Sequence, residues 1–163
     1  MWAFLMLFAA SNTPLQVVPR VDLNRYQGKW YEIARRPNRF ESSCARDITA
    51  TYFLQPDGII RVVNECVKAD GKAKRSDGKA KLRDPKGPNT KLRVSFFWPF
   101  YGDYWIIGLD PDYQWAVVAG GDDRKYLWLL SRTPRIDEAL YEKLMEDAKA
   151  KGFDVSRVIR MPY

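Results

Sequence analysis

What limits this chain most is the spacing of its turn residues. Pro56-Asp57-Gly58, Asp70-Gly71, Asp84-Pro85-Lys86-Gly87-Pro88-Asn89, Asp110-Pro111-Asp112 and Gly120-Gly121-Asp122-Asp123 recur at short intervals, and each supplies residues that accept turn dihedrals. The segments between them read as eight short strands, near 29–36, 47–54, 59–66, 72–83, 91–97, 103–109, 114–119 and 125–131. After residue 131 the period changes. Ile136, Leu140 and Leu144 recur at helical spacing, Thr133-Pro134 suits an N-cap followed by proline, and Asp137, Glu138, Lys149, Lys151 and Gly152 fit the two ends of a helix. A single helix after the last strand excludes a parallel α/β sheet. Eight antiparallel strands can close into a barrel that holds one small ligand and leaves no open edge, and a two-sheet sandwich also fits.

Composition narrows the chemistry. With 163 residues, 46% of them hydrophobic and 14% aromatic, the chain suits one domain with an aromatic-rich core. Histidine is absent, which removes Ser-His-Asp and Cys-His catalysis and the commonest metal ligand. Cys44 and Cys66 are too far apart for a zinc knuckle, leaving a disulfide or two buried thiols. The formal charge of +7 is concentrated between Lys68 and Arg93, where Asp70, Asp77 and Asp84 interrupt it. That face reads either as a solvated strand edge or as a surface for anionic lipid or nucleic acid. Residues 1–20 read as an apolar leader, the remnant of an export signal without its cationic start, followed by an extended arm from Pro14 to Pro19; residues 21–163 form the domain.

Three blocks carry a resemblance. The first, Asp22-Leu23-Asn24-Arg25-Tyr26-Gln27-Gly28-Lys29-Trp30-Tyr31-Glu32-Ile33-Ala34-Arg35, contains a G-x-W signature at Gly28 and Trp30. The second runs from Val94 to Ile107 and continues into Asp110-Pro111-Asp112-Tyr113. The third is Asp123-Arg124-Lys125-Tyr126-Leu127-Trp128-Leu129-Leu130-Ser131-Arg132-Thr133-Pro134. In this order and spacing the chain resembles the lipocalins, specifically their bacterial outer-membrane lipoprotein and apolipoprotein D branch.

The resemblance implies an all-β, eight-stranded antiparallel up-and-down barrel with a C-terminal helix packed outside. It also implies that Arg132 lies over Trp30 at the closed base, a cation–π contact that is structural in role. Strand alternation from Arg132 turns Leu130, Trp128 and Tyr126 inward. The family pattern adds Ala34, Ile48, Ala50, Tyr52, Ile60, Val62, Asn64, Leu92, Val94, Phe96, Tyr104, Ile106, Ala116 and Val118 as lining residues, with Glu32 also inside. Cys44 and Cys66 flank the open end of the second hairpin.

The expected activity is non-catalytic carriage of a fatty acid or lysophospholipid in the cell envelope, in the periplasm or at the outer membrane, by a monomer or homodimer. It needs no cofactor, metal or nucleic acid, and membrane contact would be peripheral. The alternatives are a lipocalin-fold isomerase or epoxide-handling enzyme and a basic surface-interaction module. Bacterial members of the branch carry a lipidated cysteine after the export signal, and residues 1–20 contain none.

Overall fold

The structure is a computed structural model and describes residues 13–97 and 100–162, with only the backbone for Phe97 and Phe100. The leader at 1–12 and the Trp98-Pro99 turn of the second block lie outside the described residues. The elements, in chain order, are α1 (Leu23–Tyr26), β1 (Gly28–Arg35), β2 (Cys44–Leu54), β3 (Ile60–Lys68), β4 (Ala73–Leu82), β5 (Lys91–Phe97), β6 (Phe100–Leu109), β7 (Trp115–Ala119), β8 (Leu127–Ser131), α2 (Glu138–Ala150) and β9 (Ile159–Arg160). Each of β2 to β7 pairs antiparallel with the next, and β1 pairs with both β8 and β2, so the sheet closes into an eight-stranded barrel. Closure satisfies backbone groups that an open sheet would leave bare at its edges.

The buried side chains separate into two layers, because successive residues of a strand face opposite sides of a sheet. The inner cluster holds Trp30, Tyr52, Ile60, Val62, Leu92, Ile106, Ala116, Val118 and Leu130 together with Tyr26 of α1. The outer cluster packs the alternate residues Trp105, Ile107, Val117, Leu127 and Leu129 against Leu144 and Ala148 of α2 and against Leu15 of the extended arm. The helix therefore lies outside the barrel.

Four local features depart from the sequence expectations. The helix begins at Glu138 with Asp137 in the cap position, not at Thr133-Pro134. The Thr133 hydroxyl is occupied in a turn of its own, donating to the Arg135 carbonyl at 2.6 Å. The short α1 is an additional element, capped by Asp22, whose carboxylate accepts from the amides of Asn24 and Arg25. The last strand begins at Leu127, so Tyr126 precedes it. Finally, β9 adds two residues beside β1.

Candidate functional site

The base of the barrel is closed by Arg132. Its guanidinium carbon lies 3.8 Å from the centre of the Trp30 ring. Its nitrogens donate to the carbonyls of Tyr113, Lys29, Arg25 and Tyr26 at 2.7–3.2 Å. One planar fork thus joins β1, α1 and the β6–β7 turn, and it covers an indole that is fully buried and itself donates to the Tyr26 carbonyl. Gly28 has φ +97°, and a Cβ there would stand 3.4 Å from Arg132 Nη1, so the glycine serves both the turn into β1 and the approach of the arginine.

Above this floor, Tyr26, Tyr104 and Tyr52 join their hydroxyls in a chain, at 2.7 and 2.9 Å. Burial is the main reason that all three phenols are pushed well above their usual range, so they act as neutral donors and acceptors. The space around them is nearly filled. A residual cavity of about 20 Å³ remains, bordered by Tyr26, Gln27, Tyr52, Leu54, Val94 and Tyr104, enough for about one water molecule.

Nearer the mouth the inward-facing positions change character. Ala50, Val94, Phe96 and Trp128 belong to the inner face yet are only partly buried, as is Asn64, which pairs across from Ala50. Ile106, by contrast, is fully buried, and Ile60, Val62 and Tyr52 nearly so. Phe96 has room because position 78 is glycine: a Cβ there would come within 2.7 Å of the phenylalanine ring. Tyr126 stacks on Trp128 at 5.9 Å between ring centres, and Phe40 of the β1–β2 connection leans on Tyr126 at 5.6 Å. Cys44 and Cys66 form a disulfide across the open end of the β2–β3 hairpin.

Of the expected lining residues, Ala34 is misplaced by the sequence reading. The β1–β8 register shifts between Glu32 and Ala34, so that Glu32 opposes Leu130 of the inner face while Ala34 opposes Leu129 of the outer one. Ala34 accordingly packs in the outer cluster. A bulge of one residue reverses every side chain beyond it, and here it turns Arg35 inward, opposite Trp128.

Arg35 was missed by the sequence reading and anchors the polar side of the cavity. Its Nη1 lies 2.9 Å from Glu32 Oε2 and 3.8 Å from Glu41 Oε2. Glu41, in the β1–β2 connection, accepts from the Trp128 indole at 2.7 Å. Burial, followed by a hydrogen bond with Glu41 and its charge, holds the Glu32 carboxyl well above the usual carboxylate range, against the opposing pull of Arg35. The Glu32–Arg35 spacing was visible in the sequence, but strict alternation would put the two on opposite faces.

The Lys68–Arg93 stretch follows β4 and the ends of its neighbours, with its charges partly neutralised in place. Asp77 lies 2.9 Å from Arg61 and 3.5 Å from Arg75, and Arg93 lies 3.9 Å from Asp103. Among the described residues no three His, Cys, Asp or Glu side chains converge as a metal site would require.

Comparison with known proteins agrees with this geometry. The family model described as a lipocalin-like domain matches residues 21–163. Outer membrane lipoprotein Blc of Escherichia coli is 45% identical over 160 residues, covering 96% of this chain and 89% of that protein. Temperature-induced lipocalin-1 of Arabidopsis thaliana is 42% identical over 155 residues, covering 91% and 82%. Among solved structures, insecticyanin from the tobacco hornworm Manduca sexta superposes with a TM-score of 0.72 at 21% identity, covering 93% of this chain and 85% of its own. A closed eight-stranded barrel, the Trp30–Arg132 floor and these matches together place the chain in the lipocalin family, in the branch of the bacterial outer-membrane lipoproteins.

Proposed function

We propose that this lipocalin carries a single-chain amphiphile, a fatty acid or lysophospholipid, in the mouth half of its barrel, without a covalent step. The observation that carries the reading is the accessible apolar surface inside the barrel at Ala50, Val94, Phe96 and Trp128. Apolar surface left accessible on the inside of a closed barrel is what a hydrophobic ligand gains by covering. The tyrosine chain beneath it offers hydroxyls to a polar group, and Ile60, Val62, Ile106 and Tyr126 complete the wall. The resident acid–base groups favour carriage over catalysis, since Glu32 is bonded to Arg35 and Glu41, and the phenols are bonded to one another.

The likeness to outer membrane lipoproteins of Escherichia coli and Vibrio cholerae supports a place in the cell envelope, in the periplasm or at the outer membrane. Native mass spectrometry of protein purified without detergent is expected to show one bound amphiphile. Titration of delipidated protein with a fluorescent fatty acid should show one saturable site. An empty barrel that also ignores the fluorescent probe and lysophospholipid sinks the proposal.

A further inference from the structure

Glu32 and Glu41 set two carboxyl groups against one guanidinium, that of Arg35. With all three ionised, the cluster would hold one excess negative charge in a buried place, which is costly unless a proton relieves it. Glu41 Oε2, 3.8 Å from Arg35 Nη1, is buried with no hydrogen-bond partner, so a proton held between the two carboxyl groups would both satisfy that oxygen and remove the excess charge. They differ in what they are attached to. Glu32 belongs to a barrel strand and its side chain is 4% exposed, whereas Glu41 belongs to the 36–43 connection and is 19% exposed.

That connection is tied inward through Glu41. Its carboxylate accepts from Trp128 Nε1 at 2.7 Å and from Asn38 Nδ2 at 3.2 Å, and its carbonyl accepts from Arg35 Nη2 at 3.3 Å. Just beyond it, the amide of Cys44 donates to the same carbonyl at 2.9 Å, and Cys44 is bridged to Cys66 of β3. The far root of the loop is thus fixed to the barrel, and the segment free to swing is short. It carries Phe40, 68% exposed, against the rim residue Tyr126.

The geometry points to a proton-controlled latch, in which the 36–43 loop stays drawn against the mouth while the Glu32–Glu41 pair keeps its proton and is released when the pair loses it. The inference rests on the carrier reading above, since the mouth is the ligand's way in. Among the described residues, the groups facing Glu32 include Arg35 on its own strand, Glu41 on the loop and the Tyr52 phenol of β2, with the Glu41-bound indole of Trp128 from β8; the Met161 sulfur backs Arg35 at 3.7 Å. Only Arg35 among them is cationic, and it already serves both carboxyl groups. When the proton leaves, the repulsion falls on Glu41, the partner able to move. A carboxyl whose value is raised in the closed form favours closure at low pH, and that preference is lost as pH rises through the raised value.

The test is a comparison of the full chain with Glu32→Gln, which keeps a hydrogen-bond donor and cannot ionise. In ligand-free protein the Trp128 indole N–H resonance, assigned with Trp128→Phe, should shift through one titration that lies above the usual carboxylate range. Hydrogen exchange at 36–43 should quicken across the same step by about tenfold beyond its intrinsic pH dependence. Both should be flat in Glu32→Gln, and Glu41→Gln should behave alike if the first variant fails to fold. The release rate of N-phenyl-1-naphthylamine, a probe uncharged over this range, should rise about tenfold in the wild type alone. A Trp128 signal that does not titrate, or that titrates equally in the glutamine variants, overturns the latch. Failure of the probe and of lysophospholipid to bind at any pH overturns the carrier reading, which the ligand-free titration does not depend on.

Discussion

At the scale of single residues, the floor and the mouth use arginine in opposite ways. Arg132 is partly exposed to solvent and bonds four carbonyls around an indole. Hydrogen bonds from a charged donor contribute about 1.5–3 kcal/mol each but do not add in full. Arg132→Met is therefore expected to lower unfolding free energy by roughly 2–4 kcal/mol in urea melts, with Arg132→Lys intermediate because ammonium lacks the planar fork. Arg35 is enclosed with Glu32 and Glu41, and there the proton inventory matters. The Glu32 carboxyl is raised above its ordinary value of 4.5 by burial and by Glu41. Its contribution to stability is complete below that unfolded value and is lost as pH rises through the raised one. Urea melts on the alkaline side should thus show wild-type stability falling with a slope that Glu32→Gln lacks. Trp30 and Arg132 were legible in the sequence because their roles are tied to local signatures at the two ends of the domain. Arg35 was not legible, because its direction depends on a bulge.

At the scale of elements, periodicity predicted the eight strands to within a few residues, since a half-buried strand has no other way to hide one face. It was less informative where a side chain could bond its own backbone. Thr133 matched a capping residue, but its hydroxyl closes a turn and the helix starts at Glu138. Helix α2 is held by its apolar stripe rather than by its cap, as Asp137 makes no side-chain capping bond. Leu144, 3% exposed against the outer face, should accordingly cost about 2–4 kcal/mol on substitution by alanine, measurable as a lower denaturation midpoint. The Cys44–Cys66 bridge closes a separation of 22 residues. Loop-closure entropy assigns such a crosslink about 3 kcal/mol, and the double variant C44S/C66S should lose that order of stability while retaining the barrel's circular dichroism.

For the whole molecule, the consequence of closure is an inside that is packed at one end and accessible at the other. Trp30, the tyrosine chain and Leu92 fill the floor, whereas Ala50, Phe96 and Trp128 keep accessible surface towards the mouth. A ligand that binds only the closed barrel must raise its stability, by ~2.7 kcal/mol at a hundredfold excess over Kd. Adding lysophospholipid to delipidated protein should raise the melting temperature, and Gly78→Leu, which drives a side chain into the Phe96 ring, should weaken that rise. The order of turns and the two-residue alternation were enough for an antiparallel all-β chain with one helix after the last strand, because turn dihedrals and one-sided burial are written into neighbouring residues, and the family resemblance carried by the Gly28–Trp30 and Arg132 signatures selected the closed barrel over a sandwich. The direction of Arg35, the exclusion of Ala34 from the cavity and the meeting of Glu41 with Trp128 across 87 residues were decided only in the folded chain. A bulge costs one residue of register and carries no marker in composition, and the contact between loop and wall exists only after β8 and β2 have both closed on β1.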